Sequence, residues 1–334
     1  VQARLAAAAR LRYQRRDCCA RHGGASLLKE FPMRLPTVVL ALTCLATAAS
    51  AEDLSGTLQK VKETKKITLG YQEASVPFSY LDGNQKPVGF AMDICLRIVD
   101  AVKKQLGIPD IAVDTLAVTS SNRIPLMVNG TLDLHCSATT NNADRQKQVA
   151  FTNTHFLSAT RFAAKKAAKI NTIDDLKGKA VTAVAGSVNL TQLAKVNTER
   201  NLGINVMPAK DQAEAFLLLE TDRAQAYALD DVQLAVAIAR SKEPQLFMIS
   251  EETFSKPEPY GIMLRREDAP FKALADRATA ELYASPEIEA LYKKWLESPT
   301  PPNGLNYNVP MSGALRNAFK KPSSSFDPDV YVVN

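Results

Sequence analysis

The chain has 334 residues, with 41 Lys+Arg against 35 Asp+Glu and a formal net charge of +6. The excess sits at the start: residues 1–51 hold eight of the basic and two of the acidic side chains, which leaves 33 of each in the remainder. A near-neutral remainder offers no basic footprint for nucleic acid or an anionic membrane, and after Ala51 no apolar run reaches the roughly 18 residues that a bilayer span needs.

Met33-Arg34, the apolar run Leu35–Leu45 and the small residues ending in Ala49-Ser50-Ala51 read as a secretory signal peptide with cleavage after Ala51. Residues 1–32, Ala/Arg-rich and without apolar period, read as an upstream extension ahead of the true start. Cys44 follows Thr43, a poor residue before a lipidated cysteine, so an anchor there is not expected. The remaining 283 residues are enough for two domains of ordinary size. Only Cys95 and Cys136 lie in that part. Export permits a bridge, yet one cysteine falls in mid-helix and the other at a strand end, so the demanding geometry argues against it. His135 and His155 have no partners at ligand spacing, and no metal is expected.

Ile67–Tyr71 reads as a strand. Phe90, Ile94, Ile98, Val102 and Leu106 recur every fourth residue and predict one apolar helix face. Ile111–Val118 predicts a strand, Ile124–Val128 a helix stopped by Asn129-Gly130, and Thr131–Cys136 another strand. The pattern then restarts. A short helix at Ile173–Leu176 precedes a strand at Ala180–Val184, a helix opened by Gly186-Ser187, and a strand at Ile204–Met207. A helix at Asp211–Glu220 and a strand at Ala224–Leu229 running into Asp230-Asp231 complete it. This order implies α/β architecture with two mostly parallel sheets. Phe156–Ala164 and Tyr260–Leu264 read as the links between two lobes, with the C-terminal part around Trp295 returning to the first.

"RIPLMVNGTLDLHCSATTN" and "EAFLLLETDRAQAYALDDV" share one plan: helix, tight turn, short strand, polar residues at the strand's end. Ligands of open α/β sheets sit beyond the carboxyl ends of the strands, so two such ends define a cleft. A free amino acid carries a carboxylate and an ammonium. Arg145 and Thr140 suit the first, helped by backbone N–H groups at Gly186-Ser187; Asp230 suits the second. Each residue has an ordinary alternative as a surface Arg, a turn Gly or a helix-capping Asp. Convergence on one cleft favours the ligand.

"SVPFSY" (75–80), "SSNRIPL" (120–126), "ATTNNADRQKQ" (138–148), "DDLKGKAV" (174–181), "AKDQAEAF" (209–216), "YGIMLRRED" (260–268) and "PPNGLN" (301–306) carry a wider resemblance. With these stretches the chain resembles the periplasmic amino-acid-binding proteins of ABC importers, in the polar-amino-acid solute-binding family, and within it the glutamate/aspartate-binding branch. The resemblance implies a two-lobed type II periplasmic-binding-protein fold. Lobe 1 would comprise 52–158 and 259–334, and lobe 2 would comprise 159–258, with the ligand between mixed, mostly parallel sheets. It implies that Arg145 and Thr140 grip the α-carboxylate and Asp230 the ammonium, while Ser120 and Arg123 face the ligand side chain. Three positions depart from the branch: Gln72 stands for Arg, Gln212 for His and Ala138 for Ser. The two glutamines remove cations from the side-chain end, so an amide-bearing amino acid, glutamine or asparagine, is the alternative to glutamate or aspartate. The partners implied are an L-amino acid and an inner-membrane ABC permease, for a periplasmic monomer without cofactor. An enzyme on the same fold, a dehydratase or lyase, is a further alternative; it would need an acid in the cleft, for which Glu73 is the candidate.

Overall fold

A computed structural model describes residues 54–332. The predicted leader, its cleavage site, Cys44 and the extension at 1–32 lie outside the described residues.

The chain opens with α1 (Gly56–Thr64), β1 (Lys66–Tyr71) and a small antiparallel sheet of β2 (Ala74–Ser75), β3 (Ser79–Leu81) and β4 (Pro87–Val88). There follow α2 (Phe90–Leu106), β5 (Ala112–Ala117), α3 (Arg123–Val128), β6 (Leu134–His135), α4 (Ala143–Gln146) and β7 (Val149–Phe151). Next come β8 (Phe156–Ser158), β9 (Thr160–Lys165), β10 (Ala180–Val184), α5 (Val188–Glu199), β11 (Asn205–Ala209), α6 (Gln212–Glu220), β12 (Ala226–Asp230) and α7 (Asp231–Arg240). The last elements are β13 (Phe247–Ile249), β14 (Glu258–Tyr260), β15 (Met263–Arg265), α8 (Ala269–Ala284), α9 (Glu287–Leu296) and α10 (Gly313–Lys320). No described helix is long and apolar enough to cross a membrane.

Two five-stranded sheets result, ordered β5-β1-β6-β15-β7 and β11-β10-β12-β9-β13. In each, four strands run in one direction, while β15 in the first and β9 in the second run antiparallel to their neighbours. Side chains alternate across a strand, and both faces are covered. Val181 and Ala183 of β10 join one core and Val184 the other. Met263 of β15 packs with Met127 and Leu132, and Leu264 with the core of α2 and α8. The fourth-residue apolar period predicted for α2 is the buried face: Phe90, Ile94, Ile98 and Val102 are inaccessible. β5 is an edge strand and largely exposed, although the residues flanking it, Ile111 and Val118, are buried.

The crossings between sheets are shorter than the predicted links. β8 and β14 pair antiparallel with Glu258 opposite Ser158 and Tyr260 opposite Phe156. Thr160–Lys165 and Met263–Arg265 already belong to the sheets, because extended backbone with buried alternate residues finds ladder partners there. The predicted helix at 173–176 is a 3-10 turn over Asp174–Leu176.

The expectation against a Cys95–Cys136 bridge is overturned. The two cysteines are bonded, with Cα atoms 6.0 Å apart across 41 residues of sequence. Mid-helix and strand-end positions do meet here: α2 lies on the first sheet with its Cys95 face inward, and Cys136 N–H donates to Gly70 O at the carboxyl end of β1. The bond ties α2 to the strand end from which the loop Ser137–Asn142 departs. Closing a loop of this length is worth about 4 kcal/mol by chain entropy. Reduction, or Cys95→Ala with Cys136→Ala, should therefore lower the melting temperature by several degrees, read by calorimetry with and without reductant. An unchanged melting temperature would refute a bridge of structural weight.

Candidate functional site

The carboxyl ends of β6, β10 and β12 face one polar cavity. Ser120, Arg123, Ala138, Thr140, Arg145, Ser187, Gln212 and Asp230 all line it. Gln72 stands one layer behind: its amide donates to Ser120 Oγ (3.1 Å) and accepts from Ser137 Oγ (2.8 Å). Gln72 therefore holds Ser120 rather than facing the cavity. Glu73, the acid considered for an enzyme, is exposed and borders a neighbouring groove instead.

Each charged group is placed by local backbone. Asn142 caps α4, its side chain accepting from the Arg145 N–H at 2.9 Å. This turns the Arg145 guanidinium back onto Thr140 O, to which Nη1 donates at 2.8 Å. Asn141 N–H donates to Pro259 O and its amide to Ser324 O, so the loop is pinned between the inter-sheet ribbon and the C-terminal segment. Arg123 starts α3 and its Nη1 donates to Ser120 Oγ at 2.8 Å, while its Nε is buried with no partner. Ser187 caps α5 by accepting from Leu190 N–H.

Asp230 ends β12 at the floor of the cavity. Tyr260 Oη donates to it at 2.5 Å and Asn189 Nδ2 at 2.8 Å. Burial raises its carboxyl pKa, and Tyr260 and Asn189 oppose that rise. Burial pushes the Arg123 guanidinium well down, with Arg145 adding and Asp230 opposing; Arg145 is also pushed down by burial. A guanidinium stays protonated in proteins. Two buried cations thus face one buried carboxylate in the cavity, an imbalance that an anion would relieve.

Sequence reading missed Tyr260, Asn189 and Gln233. Asn189 had a signal, being in the first turn of the helix that Gly186-Ser187 opens. Tyr260 comes from the ribbon, which no local pattern connects with Asp230. His135 and His155 are fully buried, and burial holds both well down toward the neutral form.

The two sheets touch at the cavity mouth. Ser121 Oγ donates to Ala185 O at 3.0 Å, and Gln233 Nε2 to Ser75 Oγ at 2.9 Å. The free space left inside is only about 20 Å³, near that of one water.

Glu258, at the ribbon, accepts from Gln192 Nε2 at 2.8 Å. Burial pushes its carboxyl up to about 7, Asp230 adds to the rise, and Gln192 and Arg145 oppose it. Unfolded, it titrates at 4.5. The folded state holds the extra proton between these values, so this contribution is full below 4.5 and is lost as pH rises through about 7. Glu258→Gln should therefore be more stable than the unchanged protein at pH 8, by roughly 1–3 kcal/mol, and show no such gain at pH 4. Melting curves at both pH values check this; a difference that ignores pH would refute it.

Residues 67–298 match the family model of bacterial extracellular solute-binding proteins, family 3. An L-glutamate/L-aspartate-binding protein of Pseudomonas aeruginosa is 43% identical over 87% of this chain and 96% of its own length. A glutamate/aspartate import solute-binding protein of Escherichia coli is 41% identical over 86% and 96%. Among solved structures, a mutant of ArgBP from T. maritima superposes with a TM-score of 0.64 at 26% identity, covering 72% of this chain and 99% of that one.

Proposed function

Because the chain belongs to the bacterial extracellular solute-binding proteins of family 3, we propose that it binds an acidic L-amino acid, glutamate or aspartate, and hands it to an ABC importer. One observation carries this reading: two buried guanidiniums and one buried carboxylate line a single cavity. An acidic amino acid carries the complementary set of two carboxylates and one ammonium. Relatives above 40% identity that are named for glutamate and aspartate support it.

In this reading Arg145, Thr140 and the N–H groups at Ser187 hold the α-carboxylate, and Asp230 holds the ammonium. Ser120 and Arg123, with Gln212, take the side-chain carboxylate. Residues 52–158 with 259–334 form one lobe and 159–258 the other, rocking about the β8–β14 ribbon by hinge closure. The leader at Met33–Ala51 directs the chain to the periplasm, where it acts as a monomer and binds without catalysis.

Calorimetric titration tests the ligand. Glutamate and aspartate should bind, and glutamine should bind about tenfold or more weakly, because a neutral amide replaces a charged partner of Arg123. Glutamine binding more tightly than both acids would overturn the assignment.

A further inference from the structure

Beside the polar cavity lies a second, larger space of about 440 Å³, and Gln212, Leu229 and Gln233 border both. Its walls mix the apolar side chains of Val76, Phe216 and Val236 with the charged side chains of Glu73, Glu220, Arg240 and Lys242. Two buried polar atoms have no partner among the described residues: the donor Arg123 Nε, in the wall of the polar cavity, and the acceptor Gln212 Oε1, on the wall that the two spaces share. Leaving such atoms unmatched is costly. A γ-carboxylate satisfies the donor alone. A γ-amide gives up the carboxylate's charge, so it binds more weakly than the acid, but it satisfies both atoms, its oxygen facing Arg123 and its N–H facing Gln212. The Gln212 amide can also turn over to present an N–H, which suits a free carboxylate or an ester.

Resting on the reading of the polar cavity as an acidic amino-acid site, we propose that this protein also takes glutamate whose γ-carboxyl is in amide linkage, with the amide substituent lying in the adjacent groove. The α-groups keep Arg145 and Asp230, and the chain of the substituent passes between Gln212 and Gln233 against Phe216 and Leu229. The ligand class is thus N-substituted glutamine, of which a γ-linked peptide is one form.

The test compares glutamate, the N-ethyl amide of its γ-carboxyl and the corresponding γ-ethyl ester on the unaltered protein and on Ala213→Trp. Ala213 is exposed and lines the groove but not the polar cavity, so the indole fills the groove alone. The N-ethyl amide should bind the unaltered protein about tenfold or more tightly than the ester, which has no N–H for Gln212. Ala213→Trp should weaken the amide about tenfold or more while leaving glutamate unchanged. If glutamate binds and the amide does not, or if Ala213→Trp leaves amide binding intact, this inference falls and the acidic-ligand reading stands. If glutamate does not bind either, both fall.

Discussion

Arg145→Ala and Asp230→Ala should each lower affinity for glutamate by about 2–5 kcal/mol, which is roughly thirtyfold to several thousandfold. Each removes one side of a charge-assisted contact and strands a ligand charge between closed walls. The variants can be told from a folding defect through Asp230→Asn. Burial disfavours the Asp230 carboxylate, and Tyr260, Asn189 and Arg145 oppose that cost, with a long hydrogen bond from Thr160. An isosteric neutral group removes the penalty, so the unliganded melting temperature should stay level or rise while binding is lost. A variant that keeps near-normal affinity, or one whose unliganded stability collapses along with binding, would refute the role given to Asp230.

Gly186→Val should reduce affinity about a hundredfold or more by obstructing the closed form. Gly186 has φ +75° in the loop after β10, and a Cβ there would stand 2.7 Å from Ser121 Cα and 2.9 Å from the Ser120 carbonyl carbon of the other sheet. Backbone cannot yield as a side-chain tip can. The strain of a β-branched residue at positive φ is a separate effect, and Gly178 isolates it. Gly178 has φ +68° with nothing within 4 Å of its added Cβ. Gly178→Val should therefore lower the melting temperature comparably without touching affinity. Equal binding losses in the two variants would assign the effect to strain and remove Gly186 from the closing surface.

The outcome at particular residues shows where sequence suffices. The apolar period of α2 and the start of α5 at Gly186-Ser187 depend on neighbours within one turn, and each is legible because helix geometry repeats every 3.6 residues. Positions after strands or at helix starts place Arg145, Thr140, Ser187 and Asp230 at one cleft, while Ser120, Arg123 and Gln212 are placed there by the family resemblance. The reason is equally simple: carboxyl ends of parallel strands converge, so chain order alone brings their loops together.

Pairs distant in sequence were decided by packing. Cys95 and Cys136 are 41 residues apart, and nothing in either segment shows that the cysteine face of α2 looks down on the end of β6. Gln72 follows its strand as a cavity residue would, yet Ser120 from across 48 residues takes its amide and stands in front of it. Tyr260 reaches Asp230 because the ribbon crosses the floor of the cavity. By itself the sequence determined the architecture, the charge set and the cleft, since these follow from local periodicity and chain order. Only the tertiary structure decided which polar atoms face the ligand, which hold those that do, and how tightly the two sheets meet, because those depend on side-chain contacts between segments with no common local pattern.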